Sequence, residues 1–277
     1  MTLAFLKMNG LGNDFVIVPA PGGSFHPTRA RIRAIADRRH GVGCDQVIAV
    51  TRSRRADAMM RIWNADGGEV EACGNATRCV AWLIMEASGR DVATIETSAG
   101  VLAARRAGPA EVSVDMGEPG LDWRDIPLAW EMDTREILLD VNEHLRAPGC
   151  AAIGNPHVVF FVADAERAPV NEVGPRIETH WLFPARTNVE FAQILDPGHI
   201  RLKVWERGVG QTRACGTGAC ATLVAAHRRG LCERKAVVAL DGGELAIEWR
   251  EADNHVVMTG PVAVEFTGRL TDPAPVA

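Results

Sequence analysis

Lysine is scarce in this chain of 277 residues, which contains only Lys7, Lys203 and Lys235. A pyridoxal-phosphate racemase holds its cofactor through a lysine Schiff base, so only these three positions could serve one. Arginine supplies the other basic residues, the formal net charge is −5, and Lys and Arg form no long run. The composition therefore argues against nucleic acid as the main partner.

Long apolar runs are also missing. No stretch approaches the roughly 18 consecutive apolar residues of a membrane-spanning helix, and Lys7 interrupts the N-terminal apolar run too early for a secretion signal. Seven cysteines without such a signal indicate reduced thiols, and their odd number argues against a disulfide framework. We expect a cytoplasmic protein with no membrane partner.

Two similar stretches contain a cysteine followed by a glycine turn. Ala72-Cys73-Gly74 and Ala214-Cys215-Gly216 lie 142 residues apart (73 to 215), and the same offset aligns Gly12-Asn13 with Gly154-Asn155. It also aligns Trp63 with Trp205. One ungapped offset with these matches indicates two homologous halves.

The predicted domains follow from this duplication. A turn-rich segment at residues 117–120 sets the boundary, so we predict an N-terminal half at 1–118, a C-terminal half at 119–262 and a tail at 263–277 that returns to the N-terminal half. Only residues 271–277 resemble a low-complexity segment.

Hydrophobic periodicity predicts the same order of elements in both halves. In the first half we expect helices at 28–39 and 76–88, and strands at 15–18, 47–50, 59–63, 94–97, 101–105 and 111–115. In the second half we expect helices at 171–180 and 217–229, and strands at 158–162, 189–194, 200–206, 244–249, 256–259 and 262–266. Each half thus contains an apolar helix that a curved sheet could surround.

One cysteine retained per half favours a small-molecule site to which both halves contribute. A pseudo-two-fold relation would direct the thiols of Cys73 and Cys215 at opposite faces of a substrate carbon. An enzyme that inverts a carbon centre needs one group to remove a proton and another to return one from the other face. The ordinary thiol pKa of about 8.5 suits either role.

The turns after the two cysteines predict anion binding. Gly74-Asn75 and Gly216-Thr217 place backbone N–H groups at helix N-termini, where a substrate carboxylate would be attracted. The same N-termini would lower the pKa of the adjacent cysteines. Asn75 or Thr217 would cap its helix.

The remaining cysteines are interpreted as structural. A buried cysteine is usually an inert small apolar residue, and this interpretation applies to Cys44, Cys79, Cys150, Cys220 and Cys232. The spacings C-x₅-C and C-x₄-C, which start at Cys73 and Cys215, do not resemble a structural zinc site. We predict no metal site.

Polar residues interrupt apolar strands at equivalent positions of the two halves. Three pairs share the offset of 142 residues: Asn13 and Asn155, Gln46 and Asn188, Asn64 and Glu206. A single Asn beside Gly is usually turn chemistry, but turns do not require three matched pairs. Arg207 could bind a carboxylate bidentately, and His157 could either tune a thiol or be a buried structural histidine.

At these residues the chain resembles the diaminopimelate epimerase family. The motifs that carry the resemblance are Lys7-Met8-Asn9-Gly10-Leu11-Gly12-Asn13-Asp14-Phe15, Ala72-Cys73-Gly74-Asn75-Ala76-Thr77-Arg78-Cys79, Gly154-Asn155-Pro156-His157 and Glu206-Arg207-Gly208-Val209-Gly210-Gln211-Thr212-Arg213-Ala214-Cys215-Gly216-Thr217-Gly218-Ala219-Cys220. Together they span almost the whole chain, and the last is highly specific. Asn9 stands where many family members have His, and we expect little consequence.

The resemblance implies a fold and an activity. The fold would be α/β (α+β), with two pseudo-two-fold-related halves, each a curved, mainly antiparallel sheet wrapped around a central helix. The activity would be cofactor-independent epimerisation of LL- to meso-diaminopimelate, in lysine and peptidoglycan precursor synthesis. Family members are often homodimers, so we expect a homodimer and no cofactor.

The resemblance also implies roles for individual residues. Cys73 would be the proton donor and Cys215 the proton acceptor, and His157 and Glu206 match positions that adjust thiol pKa values. The positions that match substrate-contact motifs are Asn13, Gln46, Asn64, Gly74, Asn75, Asn155, Asn188, Glu206, Arg207, Gly216 and Thr217.

Two alternatives remain open from the sequence. One is another two-cysteine isomerase of the same fold, such as a proline racemase-like protein, although Arg207 and the asparagines suit a longer substrate with a distal carboxylate and ammonium. The other is a redox sensor in which Cys73 and Cys215 form a disulfide.

Overall fold

The computed structural model describes residues 2–70 and 73–271. Ala72 of the first cysteine motif and the last six residues of the predicted tail therefore lie outside the described residues. The described chain forms two compact units, one made of residues 2–114 with 260–271 and the other of residues 115–259.

The described helices and strands follow one another in the order expected of a repeat. The strands up to the end of the first repeat are β1 (Thr2–Gly10), β2 (Asn13–Pro19), β3 (Gln46–Thr51), β4 (Ala58–Asn64), β5 (Glu69–Val70), β6 (Val92–Thr97), β7 (Gly100–Gly108) and β8 (Glu111–Asp115). The later strands are β9 (Gly149–Ala152), β10 (Pro156–Phe161), β11 (Asn188–Asp196), β12 (His199–Glu206), β13 (Gly210–Thr212), β14 (Lys235–Leu240), β15 (Gly243–Trp249), β16 (Val256–Pro261) and β17 (Ala263–Thr271). The helices are α1 (Arg29–Ala36), α2 (Gly74–Ser88), α3 (Val170–Glu178) and α4 (Gly216–Arg228).

Strand pairing in the first unit is mainly antiparallel. β1 lies between β2 and β17 and is antiparallel to both. β2 pairs with β3 in parallel, β3 with β4 antiparallel, β4 with β6 in parallel and β6 with β7 antiparallel. α1 covers one face of this sheet, and α2 packs on β1, β2, β6 and β7.

The second unit repeats this pattern. β9 and β10 are antiparallel, β10 and β11 parallel, β11 and β12 antiparallel, β12 and β14 parallel, and β14 and β15 antiparallel. Because the parallel and antiparallel pairs recur in the same order in each unit, the structure confirms a sheet-dominated mixed fold with two repeated halves.

Helix α4 is the central helix of the second unit. It packs on β9, β10, β11, β14 and β15, and its residues from Gly218 to Ala226 are all buried. Small residues dominate this sequence, so the sheet can approach the helix closely. On the other sheet face, α3 and the irregular segment 121–148 enclose a second core that includes Phe160 and Phe191.

The predicted elements match the structure best where the apolar pattern is regular. α2 was predicted at 76–88 and ends at Ser88, and its C-cap Gly89 has φ of 69°, a left-handed conformation that glycine adopts readily. α1 was predicted to reach residue 39 but ends at Ala36, because the N–H groups of Val42 and Gly43 turn back to the carbonyl of Ile35. The sequence patterns did not predict β1, β5, β9, β13 or β14.

None of the described helices has the length and apolar character to cross a membrane. The longest, α2, has 15 residues.

The contact between α3 and β12 provides a test of the packing. A Cβ added at Gly174 would lie 2.6 Å from Cγ of Trp205, so Gly174→Ala must displace the indole ring. We expect a loss of about 1–3 kcal/mol in the free energy of unfolding, measured by urea denaturation. Gly22→Ala is the matched control, because its added Cβ meets nothing within 4 Å. Equal stability of the two variants would contradict this packing.

Candidate active site

In the first unit, three predicted polar residues lie at one end of the sheet. Asn13 begins β2, Gln46 begins β3 and Asn64 ends the antiparallel strand β4. Gln46 and Asn64 are register partners, and the Gln46 amide donates to Oδ1 of Asn64 at 2.9 Å. The structure therefore brings these three predicted positions together.

Asn13 is oriented by neighbours on both sides. The Nδ2 of Asn13 donates to Asp45 at 2.8 Å, and this hydrogen bond turns the Asn13 Oδ1 toward Cys73. The Sγ of Cys73 then donates to this oxygen at 3.8 Å. The preceding turn has φ of 66° at Leu11 and 81° at Gly12, and Oδ1 of Asn9 accepts from the Gly12 N–H at 2.7 Å. Asn9 thus helps to hold the turn that presents Asn13.

Cys73 occupies the boundary between extended chain and helix. It is the N-cap of α2, with φ of −151°, and Gly74 is the first helical residue. Asn75 is buried and its Oδ1 accepts from Arg78 at 3.0 Å. Asn75 therefore lies inside the first turn and is not the cap that we expected from the sequence.

In the second unit, Asn155 and His157 lie at the start of β10. Nε2 of His157 is 2.9 Å from Oδ1 of Asn155, and its Nδ1 is 2.7 Å from Oε1 of Glu190 on β11. The side chains of His157 and Glu190 are fully buried. The sequence identified the first two residues but not Glu190.

The β12–β13 turn presents Arg207. Its backbone N–H donates to Oδ1 of Asn188 at 2.9 Å, while the Asn188 amide donates to the Pro156 carbonyl at 2.9 Å. Glu178 of α3 accepts from the N–H of Gly208 at 2.9 Å and so fixes the next residue of the turn. The Arg207 side chain is exposed, with one guanidinium N–H donating to the Ala185 carbonyl at 3.1 Å.

Cys215 is the N-cap of α4 and is buried. Its Sγ accepts from the N–H of Gly218 at 3.4 Å and lies 3.6 Å from Oγ1 of Thr217. Thr217, like Asn75, is inside the first turn, and Gly216 is the first helical residue. In both units the cysteine itself occupies the cap position.

The electrostatics of Cys215 differ from the sequence expectation. Burial raises the pKa of the Cys215 thiol well above its ordinary value, and the carboxylates of Glu206 and Glu190 raise it further. The hydrogen bonds from Thr217 and Gly218 lower this pKa but are outweighed. The N–H of Gly218 at the helix N-terminus does lower this pKa as expected, but the net shift at Cys215 is upward.

Burial also raises the pKa of Glu206, against the opposing effect of a hydrogen bond from the Thr212 hydroxyl and a hydrogen bond from Cys215. Glu206 and Cys215 are thus hydrogen-bonded neighbours that both favour their neutral forms.

Two residues that interact with the site were missed in the sequence. Asp45 orients Asn13, and Glu190 binds His157. A signal for Glu190 was present, since it is a charged residue within the apolar strand Val189-Glu190-Phe191 and aligns with Ile48 at the offset of 142. Asp45 aligns with Thr187, so the repeat gave no signal for it.

A comparison with protein-family models independently finds two repeated halves in the chain and relates them to a known family. The family model described as diaminopimelate epimerase matches the chain twice, at residues 5–121 and 149–265. The two matches cover the strands and helices that carry Cys73 and Cys215.

Curated relatives agree over nearly the whole chain. The diaminopimelate epimerase of Phenylobacterium zucineum strain HLK1 is 61% identical over 269 residues, which cover 96% of this chain and 97% of the relative. That of Caulobacter sp. strain K31 is 54% identical over 285 residues, covering 98% of this chain and 99% of the relative.

Solved structures with the same fold are more distant in sequence. A predicted epimerase from Pseudomonas aeruginosa has a TM-score of 0.72 at 15% identity and covers 98% of this chain and 100% of its own. A hydroxyproline epimerase from Agrobacterium vitis has a TM-score of 0.67 at 17% identity, covering 99% and 94%. These two show the fold alone, whereas the family model and the curated relatives show that the chain belongs to the diaminopimelate epimerase family.

Proposed function

We propose that this chain is a cofactor-independent isomerase that converts LL- to meso-diaminopimelate, a step of lysine and peptidoglycan precursor synthesis, with Cys73 and Cys215 as its two acid/base groups. The observation that carries the proposal is the equivalent placement of the two cysteines, each the N-cap of a helix with a buried glycine as its first residue, in one of two repeated units. The family membership supplies the substrate.

The reaction requires two proton transfers at one carbon. The thiolate of Cys215 accepts the proton of the substrate Cα, and the thiol of Cys73 donates its proton to the opposite face of that carbon. The product has the inverted configuration, Cys215 ends as the thiol and Cys73 as the thiolate, and the labels exchange in the reverse direction.

The surroundings of Cys73 suit a proton donor. Its thiol donates to Oδ1 of Asn13, and Asp45 holds the Asn13 amide in the orientation that presents this oxygen. A hydrogen bond that uses the thiol proton favours the protonated form over the thiolate.

The surroundings of Cys215 suit a proton acceptor that depends on a neighbouring base. Because burial raises the pKa values of both Cys215 and Glu206, a proton that moves from the thiol to the Glu206 carboxylate leaves the net charge of the pair unchanged. We therefore assign Glu206 the role of proton acceptor for the thiol, which is separate from the effect of its charge on the thiol pKa, and His157 interacts electrostatically with Glu206.

The remaining polar groups provide contacts for an amino acid with two charged ends. The first turns of α2 and α4, at Gly74-Asn75 and Gly216-Thr217, offer N–H groups to a carboxylate. The exposed guanidinium of Arg207 is suited to a bidentate contact with the distal carboxylate. The amides that complete the substrate contacts are Asn13, Gln46, Asn64, Asn155 and Asn188.

We further propose that the chain acts in the cytoplasm as a homodimer. Thiol catalysis needs a reducing compartment, which fits the seven cysteines. Val264 and Phe266 of β17 are 42% and 48% exposed and provide apolar surface for a second copy. A monomeric mass in sedimentation equilibrium would contradict the dimer.

The two-thiol mechanism predicts incorporation of solvent hydrogen. Incubation with LL-diaminopimelate in deuterated water is expected to give meso product with one deuterium at the inverted Cα, detected by chiral separation and mass spectrometry. Cys73→Ala and Cys215→Ala are each expected to lower kcat by about 10²-fold to 10⁴-fold, since each removes an acid or base of the reaction.

Cys232→Ala is the matched control for these variants, because Cys232 is buried and hydrogen-bonded to the Leu223 carbonyl. It is expected to retain wild-type turnover. Full activity in either Cys73→Ala or Cys215→Ala would contradict the two-base mechanism, and a fully reduced wild-type protein without activity would favour the redox-sensor alternative.

Replacement of Glu206 tests its influence on Cys215. Glu206→Gln removes a negative charge that raises the pKa of the Cys215 thiol, so this pKa is expected to fall. In a Cys73→Ala background, the rate of Cys215 alkylation against pH should have its midpoint at lower pH, as measured by peptide mass spectrometry. Glu251→Gln is the control, since its side chain is 84% exposed. An unchanged or higher midpoint would contradict the effect of the Glu206 charge on the pKa of Cys215.

A further inference from the structure

The second unit buries an ionisable pair beneath the first turn of α4. His157 of β10 and Glu190 of β11 have no exposed side-chain surface, and their Nδ1 and Oε1 atoms are 2.7 Å apart. A Cβ added at Gly218 would lie 2.9 Å from Oε1 of Glu190 and 3.2 Å from Sγ of Cys215. The absence of a side chain at Gly218 therefore lets this carboxyl group lie beside the cysteine.

The fold itself does not require this pair. At the offset of 142 residues, Phe15 corresponds to His157 and Ile48 corresponds to Glu190, and both apolar residues are fully buried in the first unit. The strand registers of the two units agree at these positions. Phe15 pairs with Gln46 between β2 and β3, and His157 pairs with Asn188 between β10 and β11. The first unit thus builds the same sheet with an apolar pair.

Burial of the pair is costly. Oε2 of Glu190 has no hydrogen-bond partner within the described part of the chain, and a buried polar atom without a partner lowers stability. Burial raises the pKa of the Glu190 carboxyl, while His157 lowers it. A group that costs stability, and that the fold can replace with Ile, is a candidate for a role in the reaction.

The hydrogen bonds of His157 restrict the position of its protons. Nδ1 faces Glu190 and Nε2 faces Oδ1 of Asn155 at 2.9 Å. The pair is neutral overall either as carboxylate and imidazolium, or as carboxylic acid and neutral imidazole. In both forms Nε2 carries a proton and donates it to Asn155. In the remaining form the imidazole is neutral with Nε2 unprotonated, and the Asn155 amide is rotated so that its NH₂ group donates to Nε2. This form would leave Glu190 as an uncompensated buried charge.

We propose that Glu190 is a positioning residue of the reaction: it keeps Nε2 of His157 protonated, so that Oδ1 of Asn155 accepts this proton and the Asn155 NH₂ group is presented to the substrate carboxylate. This inference rests on the proposed substrate contact of Asn155. The other titratable groups that interact with the pair are Glu206 on β12, Cys215 on α4 and Cys150 on β9.

The first measurement is independent of turnover. In a ¹⁵N-labelled wild-type protein, the imidazole signals of His157, assigned by their loss in His157→Phe, should show a protonated Nε2 throughout the pH range of activity. In Glu190→Gln this preference is lost, because the Gln amide can either donate to Nδ1 or accept from it. An unprotonated Nε2 in the wild-type protein would overturn the proposal.

The second measurement separates positioning from folding. Glu190→Gln is expected to raise KM for LL-diaminopimelate by roughly 10-fold to 100-fold, the effect of a lost hydrogen bond to a charged group, with a smaller change in kcat. The double variant His157→Phe/Glu190→Ile carries the apolar pair of the first unit. It should unfold at the same or a higher urea concentration than wild type, yet show a similarly raised KM.

The outcomes distinguish this inference from the proposed function. Wild-type KM in both variants would overturn the role of Glu190 while leaving the epimerase activity established. Failure of the wild-type protein to convert LL-diaminopimelate would count against the proposed function, and the imidazole spectra would still decide the protonation of His157. If Glu190→Gln does not fold, the double variant supplies the kinetic test.

Discussion

The site depends on one constraint, the burial of a helix that starts immediately after a cysteine. Cys73 and Cys215 have extended φ angles of −151° and −131°, and the next residue of each is helical. Since α4 is buried along its length, its start cannot shift relative to the sheet without loss of core packing. The thiol position is therefore fixed by apolar contacts along the helix, and the polar neighbours need only adjust its protonation.

The two units use this shared geometry in different electrostatic surroundings. Asn64 on β4 corresponds to Glu206 on β12, and Ile48 corresponds to Glu190, so the second unit gains two carboxyl groups near its cysteine. Both raise the pKa of Cys215 through charge repulsion, in addition to burial. In the first unit, the neutral amide of Asn13 is one partner of the Cys73 thiol. The two units thus share these positions, and the residues that differ between them make the surroundings of the two thiols chemically unequal.

Sequence patterns predicted most of the helices and strands, and the shared offset singled out most of the polar residues of the candidate site. The helices α2 and α4 and the strands with regular alternation were found, because burial on one face imposes a period on the sequence. β9 was missed, as Gly149-Cys150-Ala151-Ala152 has small residues buried on both faces and no alternation. The sign of the Cys215 pKa shift was also missed. It depends on how deeply the thiol is buried and on which carboxyl groups surround it, and neither follows from the helix N-terminus alone.

A raised thiol pKa is compatible with removal of a proton from carbon. A thiolate whose conjugate acid has a high pKa is a stronger base, and a carbon acid beside a carboxylate requires a strong one. The difficulty is that burial makes this thiolate rare. The proposed transfer of the thiol proton to Glu206, a neighbouring carboxyl with a raised pKa, reduces that difficulty because it separates no new charge in a medium of low polarity. The burial that fixes the thiol position therefore also strengthens the base, provided that a second acid with a raised pKa lies within hydrogen-bonding distance.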